Sequence, residues 1–588
     1  MSRGYQAPTA DLRFVLKTVL GAESIARQAR FRDLDAAILD GVIDEGARFC
    51  EQTLAPLNET ADREGARLVE GRVRMPPGFR EAYRRFCADG WLGLDLPREY
   101  GGQALPRVVQ AAFAEMVNGA CIAFAMLPVT QRAAARLLLA HGDAALIARY
   151  AGSLVSGEAG ATIVITEAQA GSDVGRIQSL ARPDSRGGYR LTGNKIFISN
   201  GDQDLTDQIV HMVLARTPDA PPGTRGLSLF LVPKLLEREG HIATNDVRVL
   251  RLEHKMGLNG SPTCALAFEG ARGFLLGELG RGLGCMFTMV NTMRLEVAVQ
   301  GVALASAAHA RAACYALERL QGGVPQATPC PIGTHADVRR MLLIMRARTE
   351  ALRALTLEAA LQLDLAESTE GEVSAVAARR AEWLLPICKA CATDCAGEVG
   401  NLAIQLHGGH GYVRDSGIEQ TVRDARIGTI YEGTNGIQAL DLVERKLIGD
   451  GGRRLQEFAA GIRSEIAAAG GDARLARFAH QLEAALQVLQ SASDRLLERA
   501  SAAPRDIDAA ATPYLRLAGL VAGGWMSLRM AQAAPTDSAF DRAKRVSADF
   551  YGRYLLPEAR LHAEQIEVGA GILDELPLAE LTAGTEHS

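Results

Sequence analysis

Hydrophobic positions follow helical spacing through most of the chain and strand spacing in one central stretch. From about residue 35 to residue 160 the apolar residues, rich in Ala and Leu, recur every three or four positions, which predicts amphipathic helices. From Ala161 to about Leu276, short apolar runs such as QIVHMVLAR and GLSLFLVP are separated by turn residues, which predicts strands. Helical spacing returns after about residue 281 and continues almost to the end of the chain.

Local signals add detail to this pattern. We expect Thr192–Asn194 to form a hairpin turn between two strands. Thr334 and Asp337 have the spacing of a helix-capping box. The apolar run Leu517–Leu528 is shorter than the roughly 20 residues that a membrane span needs, which predicts a buried helix. The tail Leu581–Ser588 is predicted to be frayed.

Together these signals predict an α+β multidomain protein. It has an N-terminal helical domain, a central antiparallel β-domain resembling a barrel or sandwich, a C-terminal four-helix bundle, and an additional C-terminal helical domain. The expected bounds are an N-terminal extension at 1–35, the helical domain at 36–160, the β-domain at 161–280, the bundle at 281–450 and the extra domain at 451–588.

Composition indicates a globular protein and argues against nucleic-acid binding. Of the 588 residues, 48% are hydrophobic and 23% are charged, a balance that allows sizeable cores. The formal net charge is −5 with both signs interspersed, whereas a phosphate-backbone binder needs a clustered basic face. The N-terminal residues are polar and show no secretory signal, and no transmembrane segment is predicted. We therefore expect a cytoplasmic protein.

The ten cysteines are scattered, and three of them invite a metal interpretation. Cys388, Cys391 and Cys395 lie at i, i+3 and i+7, on one face of a helix. A closed zinc site needs a fourth ligand, usually from a second short-spaced pair, and the sequence supplies none. A buried helix face is therefore the favoured interpretation, and no metal site is predicted.

The common catalytic signatures do not occur. We find no phosphate loop, no H-E-x-x-H motif, no G-x-S-x-G elbow, and no G-x-G-x-x-G at the start of a helix. What remains are loops rich in small and hydroxyl residues, at 165–175 (ITEAQAGSDVG), 197–201 (FISNG) and 407–412 (HGGHGY). Such loops let the backbone approach a flat ligand and donate hydrogen bonds to it, although each one alone is typical of a turn.

Five segments taken together carry a resemblance to a known family. They are ITEAQAGSDVG, GNKIFISNG, the Met293–Arg294 pair, QLHGGHGYVRD and RDARIGTIYEGT. In this order and spacing they resemble the acyl-CoA dehydrogenase family, over about residues 40 to 450. The start of the chain and the extra helical block are similar to one branch of that family.

The resemblance implies FAD-dependent α,β-desaturation of an acyl-CoA thioester and gives Glu432 a role. In the stretch IYEGTNGIQAL, Glu432 matches the general base that removes the α-proton. Desolvation beside an acyl chain and a flavin would raise its pKa towards working pH. Some family members carry the base just before the helical arginine, but that position is Met293 here. Glu296, one turn further on, points elsewhere in the family pattern.

The resemblance also assigns binding residues position by position. Residues matching the flavin cradle are Ile165, Thr166, Gly171, Ser172, Phe197, Ile198 and Ser199, with Thr434 and Asn435 close to the cofactor. Residues matching segments that reach the FAD of a neighbouring subunit are Arg319, Gln321, Gln405, Gly408 and Gly409, although the family's phenylalanine after Gln321 is absent. Residues matching the substrate site are Ser172, Arg294, Tyr431 and Gly433. For Arg294, a helix-surface salt bridge stays open as an alternative.

The implied partners are an acyl-CoA substrate, a second copy of the chain in a homodimer or homotetramer, and an electron-transferring flavoprotein as acceptor. The acyl group is a fatty acyl chain or one like 3-methylmercaptopropionyl, and its length is not readable from the sequence. An acyl-CoA oxidase would share the scaffold and differ in oxygen access. A flavin-containing DNA-alkylation-response protein would need a basic tail, whereas residues after Gly451 mix Arg with many Asp and Glu.

Overall fold

The computed structural model describes residues 4–238, 240–322 and 328–581. The N-terminal part is helical apart from one hairpin. Its elements are α1 (Thr9–Arg13), α2 (Ala36–Phe49), α3 (Asn58–Glu64), β1 (Arg67–Val69), β2 (Arg72–Arg74), α4 (Phe79–Ala88), α5 (Arg107–His141) and α6 (Ala144–Ser156). The long helix α5 leaves helical geometry at Cys121, where φ is −159° and ψ is 90°. It is the one described helix long and apolar enough to cross a membrane, but 94% of its most apolar window is buried, which marks it as a core helix.

The central part forms the predicted β-domain. Its strands are β3 (Ala159–Val164), β4 (Leu180–Pro183), β5 (Tyr189–Ser199), β6 (Gln208–Arg216), β7 (Leu227–Pro233), β8 (Leu235–Arg238), β9 (His241–Thr244), β10 (Val247–Leu252) and β11 (Thr263–Leu276). The main sheet has the order β10-β11-β5-β4-β6-β3, and β7 pairs with both β11 and β6, which closes a barrel-like ring. Strand β3 runs parallel to β6, and β4 also meets β6 in parallel, so the sheet is mixed rather than antiparallel throughout as predicted.

The C-terminal part is helical, as expected. Its elements are α7 (Gly282–Glu318), β12 (Leu320–Gln321), β13 (Cys330–Pro331), α8 (Ala336–Ser368), α9 (Gly371–His407), α10 (Ile418–Ala425), α11 (Asn435–Leu440), α12 (Arg453–Ala469), α13 (Ala476–Arg499), α14 (Pro504–Gln532), α15 (Ala539–Phe550), α16 (Glu558–Val568), α17 (Gly571–Asp574) and α18 (Leu578–Leu581). Helices α7, α8 and α9 pack along one another, and α10 closes against α7 and α9. The fold class predicted from the sequence is thereby confirmed.

Two predictions about apolar helix faces are confirmed. Cys388 and Cys395 are buried in α9 and Cys391 is half-buried beside them, as a packed helix face requires. The run Leu517–Leu528 lies within α14 and is buried throughout. For the predicted frayed tail, residues 582–588 lie outside the described part of the chain.

Two local predictions were wrong. Thr192–Asn194 is not a turn but the middle of β5, and Gly193 serves close packing there: at φ +143°, a Cβ on it would lie within 3 Å of Ser179. Thr334 does not cap α8, because its hydroxyl donates to the carbonyl of Pro331 at 2.8 Å. His335 occupies the cap position instead, without a side-chain hydrogen bond to the helix.

A buried ionic cluster joins the two ends of the chain to the bundle. Lys544 of α15 contacts the carboxylates of Asp11 in α1 and Glu350 in α8, the latter at 2.7 Å. Nearby, Arg353 of α8 forms a 2.6 Å ion pair with Glu115 of α5. These pairs fix the N-terminal extension and the extra C-terminal block onto the same face of the helical bundle.

Candidate active site

Glu432 lies in a tight turn between the 3-10 segment Arg426–Thr429 and α11. Its φ is +54°, a left-handed conformation that a non-glycine residue adopts only when its surroundings enforce it. The amide of Gln438 donates to the carbonyls of Glu432 and Gly433, both at 3.3 Å. Thr434 caps α11 by accepting the N–H of Ile437 at 3.2 Å. The turn is therefore held in one defined, strained shape.

Helix α9 holds the same turn from behind. The ammonium of Lys389 donates to the carbonyl of Gly433 at 2.7 Å and to Oδ1 of Asn435 at 3.0 Å. The amide of Asn435 in turn donates to the carboxylate of Asp394 at 2.8 Å. Lys389 is fully buried, which is rare for lysine. Burial lowers the pKa of Lys389 to about 8, against the opposing charges of Glu432 and Asp394.

The carboxylate of Glu432 is left without a partner. Among the described residues, no hydrogen bond or ion pair engages its oxygens, although the side chain is only partly exposed. Burial raises the pKa of Glu432 to about 7, against the charges of Lys389 and Arg294, which favour ionisation. A carboxylate with a pKa near neutrality and free oxygens is suited to take a proton. The N–H of Glu432 is also unused within the described part of the chain.

A small cavity begins beside the turn. It lies between α5, α7 and α9 and has room for about one water molecule. Its lining includes Ile122, Leu304, Thr393, Ala396 and Tyr431. The hydroxyl of Tyr431 donates to Oε1 of Gln300, which also lines the cavity. The turn of Glu432 therefore lies beside a small, mostly apolar cavity that is lined by one polar pair.

The earlier helix supplies no competing base. Met293 is 2% exposed and packs in an apolar cluster. Glu296 is buried against the guanidinium of Arg132, so its charge is already paired. Arg294 is also buried and donates to Asp441 at 2.8 Å. The salt bridge considered for Arg294 therefore exists but is internal rather than on the helix surface, and a substrate role for Arg294 stays a prediction.

The predicted cradle for a flat ligand lies at the end of β3 and along the last residues of β5. Ile165 is half-buried and packs against an apolar cluster that also contains Met293. Phe197 is 61% exposed and has φ +60°, so a bulky aromatic ring is held in a strained backbone with its surface uncovered. Ser199 is half-buried two residues on, and Thr166 is half-buried at the strand end. These residues fit a planar, hydrogen-bonding ring.

The three other cradle residues differ in exposure. Ile198 is 2% exposed and its side chain packs in the core of the β-domain, because successive strand residues point to opposite faces. A contact between Ile198 and the cofactor stays a prediction, and its backbone is the part that neighbours Phe197 and Ser199. Gly171 and Ser172 lie on an exposed loop, so their backbone and hydroxyl groups are accessible, and their binding role stays a prediction.

The remaining predicted cofactor residues lie far from Glu432 in the same chain. Arg319 and Gln321 are exposed just beyond α7, about 37 Å along the helix from Arg294 at 1.5 Å per residue. Gln405, Gly408 and Gly409 are exposed at the end of α9. Tyr315 stacks on His407, with ring centroids 4.3 Å apart, so both segments share one end of the bundle. One chain therefore presents two separate groups of predicted cofactor residues.

Four family models match the chain consecutively. The acyl-CoA dehydrogenase N-terminal domain matches residues 41–158, the middle domain 162–271 and the C-terminal domain 280–447. An "acetyl-CoA dehydrogenase C-terminal like" model matches residues 455–577. A 3-methylmercaptopropionyl-CoA dehydrogenase of Ruegeria pomeroyi is 40% identical over 97% of this chain and 99% of its own length. The chain belongs to the acyl-CoA dehydrogenase family.

Solved structures show the same fold. Caenorhabditis elegans ACDH-11 in complex with C11-CoA superposes with a TM-score of 0.80 at 21% identity, covering 94% of this chain and 92% of that one. A Bacillus anthracis acyl-CoA dehydrogenase complexed with FAD gives 0.75 at 23% identity, covering 92% and 90%. This acyl-CoA dehydrogenase family member therefore shares their helical, β and helical domain architecture.

The buried polar residues that hold the site of this acyl-CoA dehydrogenase family member were not predicted from the sequence. Lys389 sits inside the apolar run WLLPICKACA, and an isolated lysine in such a run was the available signal. Lys195 is buried in β5 and donates to the carbonyl of Ile165 at 2.8 Å while pairing with Glu167 at 2.9 Å. The pair fixes the end of β3, where Thr166 lies.

Proposed function

We propose that this protein catalyses α,β-desaturation of an acyl-CoA thioester, with Glu432 as the general base and FAD as its cofactor. The observation that carries the proposal is the partly buried, unpartnered carboxylate of Glu432, whose pKa is raised by burial to about 7, beside a small apolar slot. A base with a pKa near working pH is both ionised often enough and basic enough to remove a weakly acidic proton.

Glu432 and the residues around it have separate roles in proton removal. The Glu432 carboxylate takes the proton from the carbon next to the thioester. The unused N–H of Glu432 donates to the thioester oxygen, where negative charge develops as that proton leaves. Gly433 has φ +87°, and a Cβ on it would lie 2.7 Å from Nε2 of Gln438, so glycine is needed for the turn that presents this backbone to the thioester. Tyr431 forms the side wall of the acyl slot and is fixed by its bond to Gln300.

Several residues of this chain are suited to bind FAD. Exposed Phe197 provides a flat face, while Thr166 and Ser199 provide hydroxyl groups at the rim of a planar ring. Gly171, Ser172, Thr434 and Asn435 are proposed to complete the contacts with the rest of the cofactor. When bound, FAD accepts the hydride that leaves the β-carbon at its N5 atom. Removal of water from the slot by the apolar lining preserves the basicity of Glu432.

We propose a short acyl group as substrate, of the 3-methylmercaptopropionyl type. The 40% identical relative from Ruegeria pomeroyi is a 3-methylmercaptopropionyl-CoA dehydrogenase, and it supports this choice. Arg294 and Ser172 are proposed to contact the CoA thioester portion of the substrate.

The separation of the two groups of predicted cofactor residues supports a functional unit of at least two chains. We propose that Arg319, Gln321, Gln405, Gly408 and Gly409 contact the FAD of a neighbouring subunit in a homodimer or homotetramer. Arginine suits this task because it binds phosphate in a bidentate manner. The electron acceptor is proposed to be an electron-transferring flavoprotein, in the cytoplasm.

The test is anaerobic mixing of purified holoprotein with a panel of acyl-CoA thioesters, followed by flavin absorbance. Bleaching by short acyl-CoAs is expected. Glu432→Gln should retain FAD and bind acyl-CoA but show no bleaching, and full bleaching by this variant would refute the assignment of the base. Rapid reoxidation by air with stoichiometric peroxide would instead identify an acyl-CoA oxidase.

A further inference from the structure

The hydrogen bonds of Lys389 are unusual for a buried cation. A buried ammonium normally forms an ion pair with the nearest carboxylate, since an unpaired charge is costly inside a protein. Lys389 instead donates to a backbone carbonyl, that of Gly433, and to the neutral amide of Asn435. Within the described part of the chain, no carboxylate lies within 4 Å of its Nζ atom. The charge is therefore close to Glu432 without occupying its oxygens.

The turn that carries Glu432 is docked onto one turn of α9 through this lysine. Asn435 Oδ1 accepts from Lys389, while Asn435 Nδ2 donates to Asp394 at 2.8 Å and to the carbonyl of Ala390 at 3.3 Å. Thr393 lies between them and accepts from Asn435 Nδ2 at 3.1 Å. Gly433 and Asn435, which follow Glu432, are thus fixed to a long, rigid helix.

We propose that Lys389 is a positioning residue for the base: it holds the strained turn at Gly433 and Asn435, and its positive charge keeps the Glu432 carboxylate ionised without pairing with it. This inference rests on the proposed function of Glu432. It assigns one lysine two effects, one geometric and one electrostatic. The geometric effect sets the rate at every pH, and the electrostatic effect sets the pH at which the base becomes active.

The groups that face Glu432 allow the electrostatic effect to be isolated. The cations acting on Glu432 are Lys389 from α9 and Arg294 from α7, and Lys389 has the larger effect. Arg294 is already paired with Asp441, whereas Asp394 lies on the Lys389 side and is bonded to Asn435. Removal of the Lys389 charge therefore leaves Glu432 with one partly neutralised cation.

The experiment compares Lys389→Met, Lys389→Arg and the control Lys446→Met in the holoprotein. Lys446 is a partly exposed lysine that lies 3.5 Å from Glu382 and does not contact the turn. The first readout is the pH profile of flavin reduction by acyl-CoA in single-turnover mixing. For Lys389→Met we expect the acid limb to move upward by about one pH unit, because loss of a nearby cation disfavours the carboxylate. Lys389→Arg should restore the limb, and Lys446→Met should leave it unchanged.

The second readout needs no substrate. Difference infrared spectra, with Glu432→Gln as the reference, follow the carboxyl band of Glu432 as pH is changed. The same upward shift in Lys389→Met supports the inference even if no tested acyl-CoA reduces the flavin, in which case only the proposed function fails. An unchanged carboxyl titration, with the rate lowered equally at all pH values, would show a purely structural lysine and overturn the proposal. If Lys389→Met does not fold, Lys389→Gln is measured in its place and judged by the same outcomes.

Discussion

The hydroxyl of Tyr431 donates a hydrogen bond to Oε1 of Gln300, so the residue next to the proposed base also closes the acyl slot. Gln300 belongs to α7, and its amide lies 3.6 Å from the sulfur of Met126 in α5. A polar side chain held between two long helices therefore lines the small cavity beside Glu432. The Tyr431–Gln300 hydrogen bond therefore connects the cavity proposed to receive the acyl chain with the turn that carries the base.

Shortening Gln300 should extend the accepted chain length. Gln300→Ala removes the polar closure and enlarges the slot, so longer acyl groups gain room beyond Tyr431. We expect kcat/KM for acyl chains longer by two or three carbons to rise about tenfold relative to the short substrate, since one methylene is worth roughly 1–3 kcal/mol in such a pocket. Tyr431→Phe keeps the volume and removes only the hydroxyl, so it should not produce this change. Equal loss for all chain lengths in Gln300→Ala would contradict the prediction.

The rate of flavin reduction should depend on the ionisation of Glu432. Burial raises the pKa of Glu432 to about 7, and only the ionised form accepts a proton. Below pH 7 the rate should fall about tenfold per unit, and above it the rate should level off. Glu432→Asp places a carboxylate on a shorter side chain, so we expect a large loss of rate. The rate of this variant should still fall at low pH, because a carboxylate remains the base. A wild-type limb near pH 4.5 would show that the carboxylate is not desolvated in the working enzyme.

The fold was largely predictable from the sequence, and the site only in part. Periodicity located the helices and the β-domain because burial on one face leaves a pattern in the chain. The resemblance located Glu432 because local motifs carry its position. The support of the turn was not predictable, since Lys389 lies 43 residues before Glu432 and only the packing of α9 brings them together. Gly193 was misread as a turn residue because a glycine required by strand packing has no local signature.

Phe197 should contribute to cofactor affinity. Its ring is 61% exposed and lacks a covering side chain among the described residues, which fits a stacking surface. Phe197→Ala should weaken FAD binding about tenfold, in line with roughly 1–3 kcal/mol for stacking on an aromatic side chain. Titration of the apoprotein with FAD, followed by flavin fluorescence, measures this. Tyr554→Ala is the control, because Tyr554 is an exposed aromatic residue that stacks on Phe550 in the C-terminal block. Identical affinities for wild type and Phe197→Ala would exclude Phe197 from the flavin site.

Lys544 should determine how firmly the extra C-terminal block and the N-terminal extension are attached. Its ammonium is 1% exposed and contacts both Asp11 and Glu350. Lys544→Met removes a cation from buried Glu350 and partly buried Asp11, while Arg346 still pairs with Glu350 at 2.9 Å, so we expect a loss of up to about 3 kcal/mol in the stability of this interface. Limited proteolysis and thermal unfolding should show earlier release of the terminal segments. Lys446→Met, which disrupts a partly exposed pair with Glu382, should cost about 1 kcal/mol or less. Similar effects for the two variants would show that the buried cluster has no special role.

A dimer that combines one Glu432→Gln chain with one Arg319→Ala chain should recover activity that each variant lacks alone. Glu432→Gln inactivates the base, and Arg319→Ala removes a cation proposed to reach the neighbouring subunit's FAD. Because Arg319 lies about 37 Å along α7 from Arg294, one chain cannot easily supply both functions to one cofactor. In a mixed dimer, one site then carries both defects while the other combines an intact base with an intact arginine. Co-expression with two affinity tags isolates the mixed dimer, and we expect about half the wild-type activity per dimer, from the arithmetic of one good site in two. Activity no higher than that of the separate variants would place Arg319 and Glu432 at the same cofactor within one chain.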